Sequence, residues 1–204
     1  MSAGTPHSFP HMLSTDLALF HWLNGYAGHT PLVDTLMIAC AKYAPLVFAA
    51  VLLGCWARWR HEWQRAAALA GLAALLALGV GQLVGRAVPR ARPSAAMATI
   101  LVPHAPDTSF PSDHAILSLA ITVVLATVSR RLGVGLALFS LLVLVSRVYV
   151  GVHYPTDVLG GAAIGALGAL LTLRLARVPV IAKWLEAVFV ALGRIGIAVR
   201  MKPA

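Results

Sequence analysis

Five apolar stretches, separated by short basic or motif-bearing segments, constrain this chain more than any other feature. They run approximately Val33–Trp56, Ala66–Val88, Ala115–Val128, Val134–Val150 and Val158–Leu175. The chain of 204 residues is 59% hydrophobic and only 11% charged, whereas a soluble domain carries roughly 25% charged residues. A core of this size cannot hide so much apolar side chain, so lipid is the expected surrounding. A helix needs roughly 20 residues to cross hydrocarbon, which several of these stretches reach only with their flanks. The expected fold is all-α: an integral membrane helical bundle of five to six transmembrane helices plus interfacial helices.

Gly and Ala crowd the second and fifth stretches, in AAALAGLAALLALGVGQLVG and LGGAAIGALGALL. Small residues at such spacing let helices approach closely in lipid, which predicts a compact bundle. Two flanking segments are of a different kind. Ser14–Tyr26 is short and amphipathic, is followed by Pro31, and suits the interface or a shallow dip into the membrane. Val180–Val199 carries Lys183, Glu186 and Arg194 among apolar residues; it is a sixth span or, the favoured reading, an interfacial helix. Residues 1–204 thus read as one membrane-embedded domain, with a motif-bearing core at about 31–178 and peripheral or additional helices at 12–28 and 180–199. Met1–Pro10 lacks Lys and Arg and does not resemble a signal peptide. The two cysteines, Cys40 and Cys55, share one apolar stretch and offer neither a disulfide framework nor metal-ligand spacing.

Sixteen Lys and Arg against seven Asp and Glu give a net charge of +9. Taken alone, that balance would suit nucleic acid. Many of the basic residues instead form short clusters between apolar runs, as membrane-flanking residues do, so an anionic lipid head group is the better partner. Arg58, Arg60 and Arg65 follow the first stretch, Arg130 and Arg131 the third, and Arg174, Arg177 and Lys183 the fifth. If the five spans alternate, these three places share a side, and the positive-inside rule makes it cytoplasmic. The opposite side holds Arg86–Phe110 and the Arg147–Asp157 loop. It also carries Arg86, Arg90, Arg92 and Arg147, which topology does not explain.

Three segments meet on that outer side: GRAVPRARP, ending in Arg92-Pro93; SFPSDHA, Ser109 to Ala115; and SRVYVGVHYPTD, Ser146 to Asp157. Arg92 and Arg147 present planar forks suited to phosphate oxygens. Ser112 offers a hydroxyl donor, and the helix start beside it offers backbone N–H groups. Of His114 and His153, one can attack phosphorus while the other protonates the leaving oxygen. Asp157 lies four residues after His153, about one helical turn, where a carboxylate can fix the imidazole tautomer and stabilise the imidazolium. Pro155 suits a first helical turn, where its missing N–H costs little.

Arg92-Pro93, then Pro111-Ser112-Asp113-His114, then Ser146-Arg147 with His153 and Asp157, resembles the three motifs of the type 2 phosphatidic acid phosphatase superfamily, which also includes vanadium haloperoxidases. The resemblance covers roughly Val84 to Leu175. It implies a phosphohistidine intermediate at His153, Asp157 as its orienter, His114 as general acid, and Arg92, Ser112 and Arg147 on the phosphate. It implies no metal and no cofactor. Two positions depart from the pattern. The family's first motif often has a Lys seven residues before its Arg; here that position is Gly85, with Arg86 beside it as a candidate replacement. The second motif often reads Pro-Ser-Gly-His, whereas Asp113 stands here. Ser-Phe-Pro-Ser-Asp-His is similar to the bacterial undecaprenyl-diphosphate phosphatase branch. That branch implies an isoprenoid lipid diphosphate substrate and an outward-facing enzyme of the bacterial inner membrane that recycles the cell-wall lipid carrier. Phosphatidic acid, phosphatidylglycerol phosphate or transfer to a lipid A acceptor suits the same residues. A non-enzymatic transport or lipid-binding bundle would need the arginines but not the histidines.

Lys42, in CAKYAP, lies roughly ten residues inside the first stretch. An ionisable residue at that depth faces a bundle interior or a polar cavity, pairs with a neighbour such as Asp34, or snorkels. It is a second candidate for the charge missing at Gly85. Asp113 either caps its helix or contributes at the site, His104 can reach a diphosphate, and Asp107 lies nearby. His7, His11, His21, His29 and His61 carry no motif.

Overall fold

A computed structural model of the chain describes residues 14–94, 97–104 and 107–194. The expectations for Met1–Pro10 and for residues 195–199 lie outside the described residues. Among those described, the chain is entirely helical: α1 (Ser14–Asn24), α2 (Pro31–Trp56), α3 (His61–Ala87), α4 (Asp113–Leu125), α5 (Arg130–Tyr149), α6 (Pro155–Leu175) and α7 (Pro179–Arg194). Four of them, α2, α3, α5 and α6, are long and apolar enough to cross a membrane.

The third apolar stretch departs from its expected role as an ordinary span. Its helix, α4, has 13 residues, about 20 Å at 1.5 Å per residue, short of the ~30 Å hydrocarbon thickness. Ala115, Ile116, Ala120, Ile121, Val124 and Leu125 are buried, because α4 packs against α3, α5 and α6. Protein surrounds it, so bilayer thickness does not set its length. Small residues make room for it. Gly161 and Gly165 of α6 stand against the backbone of Ser112 and Ile116, and Gly81 of α3 stands against the Ile116 side chain. A side chain at these glycines would occupy the space α4 fills.

The packing is therefore inverted relative to a soluble core. Alanines 66, 67, 70, 73, 74 and 77 of α3 are buried, while Leu75 is 70% exposed and Leu167 of α6 66% exposed. Without a hydrophobic drive between helices in lipid, close small-residue contact holds the bundle and leucines face the acyl chains.

Chain direction brings the C-terminal ends of α3 and α5 together with the N-terminal ends of α2, α4 and α6. At the opposite end, α7 packs Phe189 against Trp56 and His61, with ring centroids 6.2 and 5.3 Å apart. Over its 16 described residues α7 spans about 24 Å.

The candidate active site

A cavity of about 390 Å³ opens where these helix ends meet, lined by Lys42, Arg92, His104, Asp107, Asp113, His114, Arg147 and His153 among others. That size is within the range of small-ligand sites. Seven of the nine expected site residues line the cavity or bond to residues that do.

His153 leaves α5 through a tight turn. Gly151 adopts φ +82°, and a side chain there would collide with the Thr99 carbonyl, so glycine is required on both counts. The His153 ring is buried with its two nitrogens in different surroundings. Nδ1 is 3.4 Å from Ser109 Oγ and 3.7 Å from Asp157 Oδ2. Nε2 receives Arg92 Nη1 at 3.1 Å. Arginine only donates, so Nε2 is the acceptor and Nδ1 carries the proton. Ser109 donates to Asp157 Oδ2 at 2.6 Å, which leaves its oxygen to accept from Nδ1–H. The nitrogen lone pair with access to the cavity is thus on Nε2. Burial pushes the imidazole down to about 4, with Arg147 and Arg92 adding to the effect and Asp157 opposing it, so the ring is neutral near pH 7.

Asp157 is held at four points. Besides Ser109 it accepts Tyr154 N–H at 2.8 Å and Arg90 Nη1 at 2.6 Å, and its own carbonyl accepts Ser112 N–H at 3.0 Å. The last bond ties the start of α4 to the start of α6. Pro155 occupies the first turn of α6.

Arg147 is 8% exposed and donates Nη1 to the carbonyl of Ala41 at 2.8 Å. That carbonyl is available because Pro45, four residues on in α2, has no N–H to close the helical bond. Arg147 Nε and Ser112 Oγ are buried and have no hydrogen-bond partner among the described residues. Buried donors without partners are rare and costly, and both belong to the cavity end of the bundle. Arg92 also donates to the Val152 carbonyl at 2.9 Å and to Asp107 Oδ1 at 2.7 Å. The guanidinium holds the Asp107 carboxyl below the usual carboxylate range.

Lys42 lines the cavity, with Nζ 5.9 Å from the Tyr43 ring. Asp34, its alternative partner, instead lies 2.7 Å from the Tyr149 hydroxyl. Asp113 also lines the cavity, and both its oxygens receive the Gln82 amide, at 3.2 and 3.1 Å. Arg86 is exposed on the last turn of α3 and is not among the residues that line the cavity. A Cβ at its neighbour Gly85 would lie 3.0 Å from the Phe110 carbonyl and 3.1 Å from the Thr108 methyl, so a side chain there would press on the segment that leads into α4.

Sequence reasoning assigned no role to Arg90, Ser109, Thr156 or Asp16. Arg90 lies inside GRAVPRARP and Ser109 begins SFPSDH, so their motifs were in view. Asp16 sits in α1, and its only signal was an acidic residue spaced four and eight before Phe20 and Asn24. Among the described residues, no cluster of three or more His, Cys, Asp or Glu side chains is arranged to hold a metal ion.

The chain is similar to known proteins in sequence and in fold. Residues 66–180 match the PAP2 superfamily. Undecaprenyl-diphosphatase BcrC of Bacillus subtilis is 32% identical over 157 residues, covering 76% of this chain and 81% of that protein. The crystal structure of Aquifex aeolicus LpxE superposes with a TM-score of 0.70 at 24% identity, covering 80% of this chain and 97% of that one. A PAP2 type phosphatidylglycerolphosphate phosphatase from Bacillus subtilis superposes with a TM-score of 0.64 at 22% identity, covering 79% and 84%. These structural likenesses extend to the fold. With the family match over more than half its length and the matching helical bundle, this chain belongs to the PAP2 superfamily.

Proposed function

We propose that the protein is a membrane phosphatase that hydrolyses undecaprenyl diphosphate to undecaprenyl phosphate and phosphate through a phosphohistidine at His153. The observation that carries the chemistry is the asymmetry of the His153 ring. Nδ1 is held by Ser109 and Asp157, and Nε2 faces a cation-lined cavity. The similarity to BcrC supports the choice of lipid.

The head group enters from the outer face of the membrane while the isoprenoid tail stays in the bilayer. The terminal phosphate takes the Arg92 fork away from Nε2 and satisfies the buried Arg147 Nε and Ser112 Oγ. Nε2 then attacks phosphorus in line, and the bond to the bridging oxygen breaks. With the anionic head group bound beside it, His114 takes up a proton from solvent and gives it to that oxygen, which leaves as the lipid monophosphate. Asp157, through Ser109, stabilises the cationic His153. Water next attacks the phosphohistidine, with His114 taking its proton, and inorganic phosphate leaves. Positioned cations stabilise the charge on the phosphoryl oxygens, the main task in phosphoryl transfer.

The site faces the periplasm or cell exterior of a bacterial inner membrane. The basic loops at the opposite end support that orientation, and the released carrier lipid serves peptidoglycan synthesis. Purified protein is tested on undecaprenyl diphosphate, phosphatidic acid and phosphatidylglycerol phosphate. The expected result is highest kcat/KM on the first and no turnover by His153→Ala that still inserts. Preference for a glycerolipid overturns the lipid assignment; retained activity in His153→Ala overturns the nucleophile.

A further inference from the structure

Helix α1 lies outside the residues matched to the family, and the sequence gives it a peripheral look. Yet its buried face is polar at both ends: Asp16, Phe20 and Asn24, at four-residue intervals. Asp16 is 4% exposed. It accepts Thr156 N–H at 2.9 Å and the Thr156 hydroxyl at 2.8 Å, so a carboxylate from α1 caps the first turn of α6. It also accepts Arg90 Nη2 at 2.6 Å. The other amino group of the same guanidinium donates to Asp157 at 2.6 Å. One cation therefore serves two buried carboxylates, one of them the orienter of His153. Asn24 fastens the other end of α1, donating to the carbonyls of Thr99 and Tyr149 at 2.9 and 2.8 Å.

We infer that α1 is part of the catalytic apparatus, and that Asp16 is a positioning residue that acts on Asp157 through the shared Arg90 and through the first turn of α6. The physical reason is charge sharing. With Asp16 present, Arg90 divides its donors between two carboxylates, and Asp157 keeps negative charge for the cation that forms on His153. Without it, the whole guanidinium falls on Asp157, and the cationic His153 loses stabilisation. The other groups acting on His153 are Arg92, Arg147 and His114, and none of them contacts Asp16. The inference rests on the His153 chemistry proposed above, and not on the identity of the lipid.

The test needs no lipid. Orthovanadate accepts a ring nitrogen in a five-coordinate geometry and so reports the nucleophile. Inorganic phosphate reports the cation cradle alone. Full-length protein in detergent is titrated with each, for wild type, Asp16→Asn, Arg90→Met, Arg90→Lys and His153→Gln. Asp16→Asn should weaken orthovanadate about tenfold, the equivalent of one decade in rate, with phosphate affinity within about twofold of wild type. Arg90→Met, which takes the competing cation off Asp157, should leave orthovanadate affinity at or above that of wild type, and Arg90→Lys should behave as wild type. In Asp16→Asn, parallel weakening of both anions, or no change in either, overturns the inference, as does a tenfold loss of orthovanadate affinity in Arg90→Met. Equal orthovanadate affinity in wild type and His153→Gln overturns the nucleophile and the inference with it. If Asp16→Asn fails to insert, Thr156→Val, which removes the hydroxyl where Arg90 and Asp16 meet, reads the same split.

Discussion

Arg147 Nη1 donates at 2.8 Å to the carbonyl of Ala41, a helix-interior carbonyl that Pro45, four residues on, leaves without its helical partner. A proline that would normally weaken α2 thereby fixes the direction of a cavity-lining guanidinium, and it does so one residue from Lys42. Pro45→Ala restores an N–H that competes for the Ala41 carbonyl. A helix-interior proline costs about 3 kcal/mol relative to alanine, so thermal stability is expected to rise. Inhibition by inorganic phosphate should weaken about three- to tenfold, as expected for losing one oriented charge-assisted bond. Unchanged phosphate inhibition in a stabler protein would show that the Ala41 contact does not orient Arg147.

Lys42 and Arg86 were alternative replacements for the charge absent at Gly85, and the structure separates them. Lys42 lines the cavity and Arg86 does not. Lys42→Met should raise KM for the diphosphate about three- to tenfold with a smaller change in kcat, in the range of one exposed charge contact. Arg86→Ala should leave both constants within about twofold. Steady-state kinetics of the two variants decides between them, and equal effects would remove the assignment of Lys42.

His153 is neutral in the fold down to about pH 4, whereas an unfolded histidine takes its proton near 6.5. Because the depressed value disfavours the charged form, the unfolded chain binds the extra proton first. The stability tied to this ring is full above pH 6.5 and is lost progressively as pH falls toward 4. Thermal unfolding from pH 7.5 to 4.5 should therefore show wild type losing stability relative to His153→Gln, which has no group to titrate. Parallel curves would contradict the buried neutral ring.

Gly161 is the point where α6 meets the start of α4. A Cβ there would lie 2.5 Å from the Ser112 carbonyl oxygen and 3.2 Å from its nitrogen. Gly161→Ala must displace the backbone that carries Ser112 and His114, at a cost of about 1–3 kcal/mol for overpacking. The expected readout is a lower unfolding midpoint together with weaker phosphate inhibition. Gly71→Ala, at a position with open space around it, is the matched control: it should leave phosphate inhibition unchanged and, as a glycine-to-alanine change inside a helix, should not lower the midpoint.

The sequence alone determined the membrane environment, the helical class and the three motif segments. These properties are local: apolar runs, their length, and residue types at fixed spacing. It also placed His114, His153, Asp157, Arg92, Arg147, Ser112 and Lys42 at one end of the bundle, because alternating spans leave little freedom in which loops meet. Only the tertiary structure decided what lay between distant segments. That α4 is a buried core helix depends on glycines in α3 and α6, and its own apolar run looks the same in lipid or in protein. That Pro45 serves Arg147 depends on the rotation of α2 against α5. That Asp16 reaches Thr156 and Arg90 depends on a helix folding back across 140 residues of chain. A short amphipathic segment reveals which of its faces is apolar, not which buried partner its lone carboxylate will find.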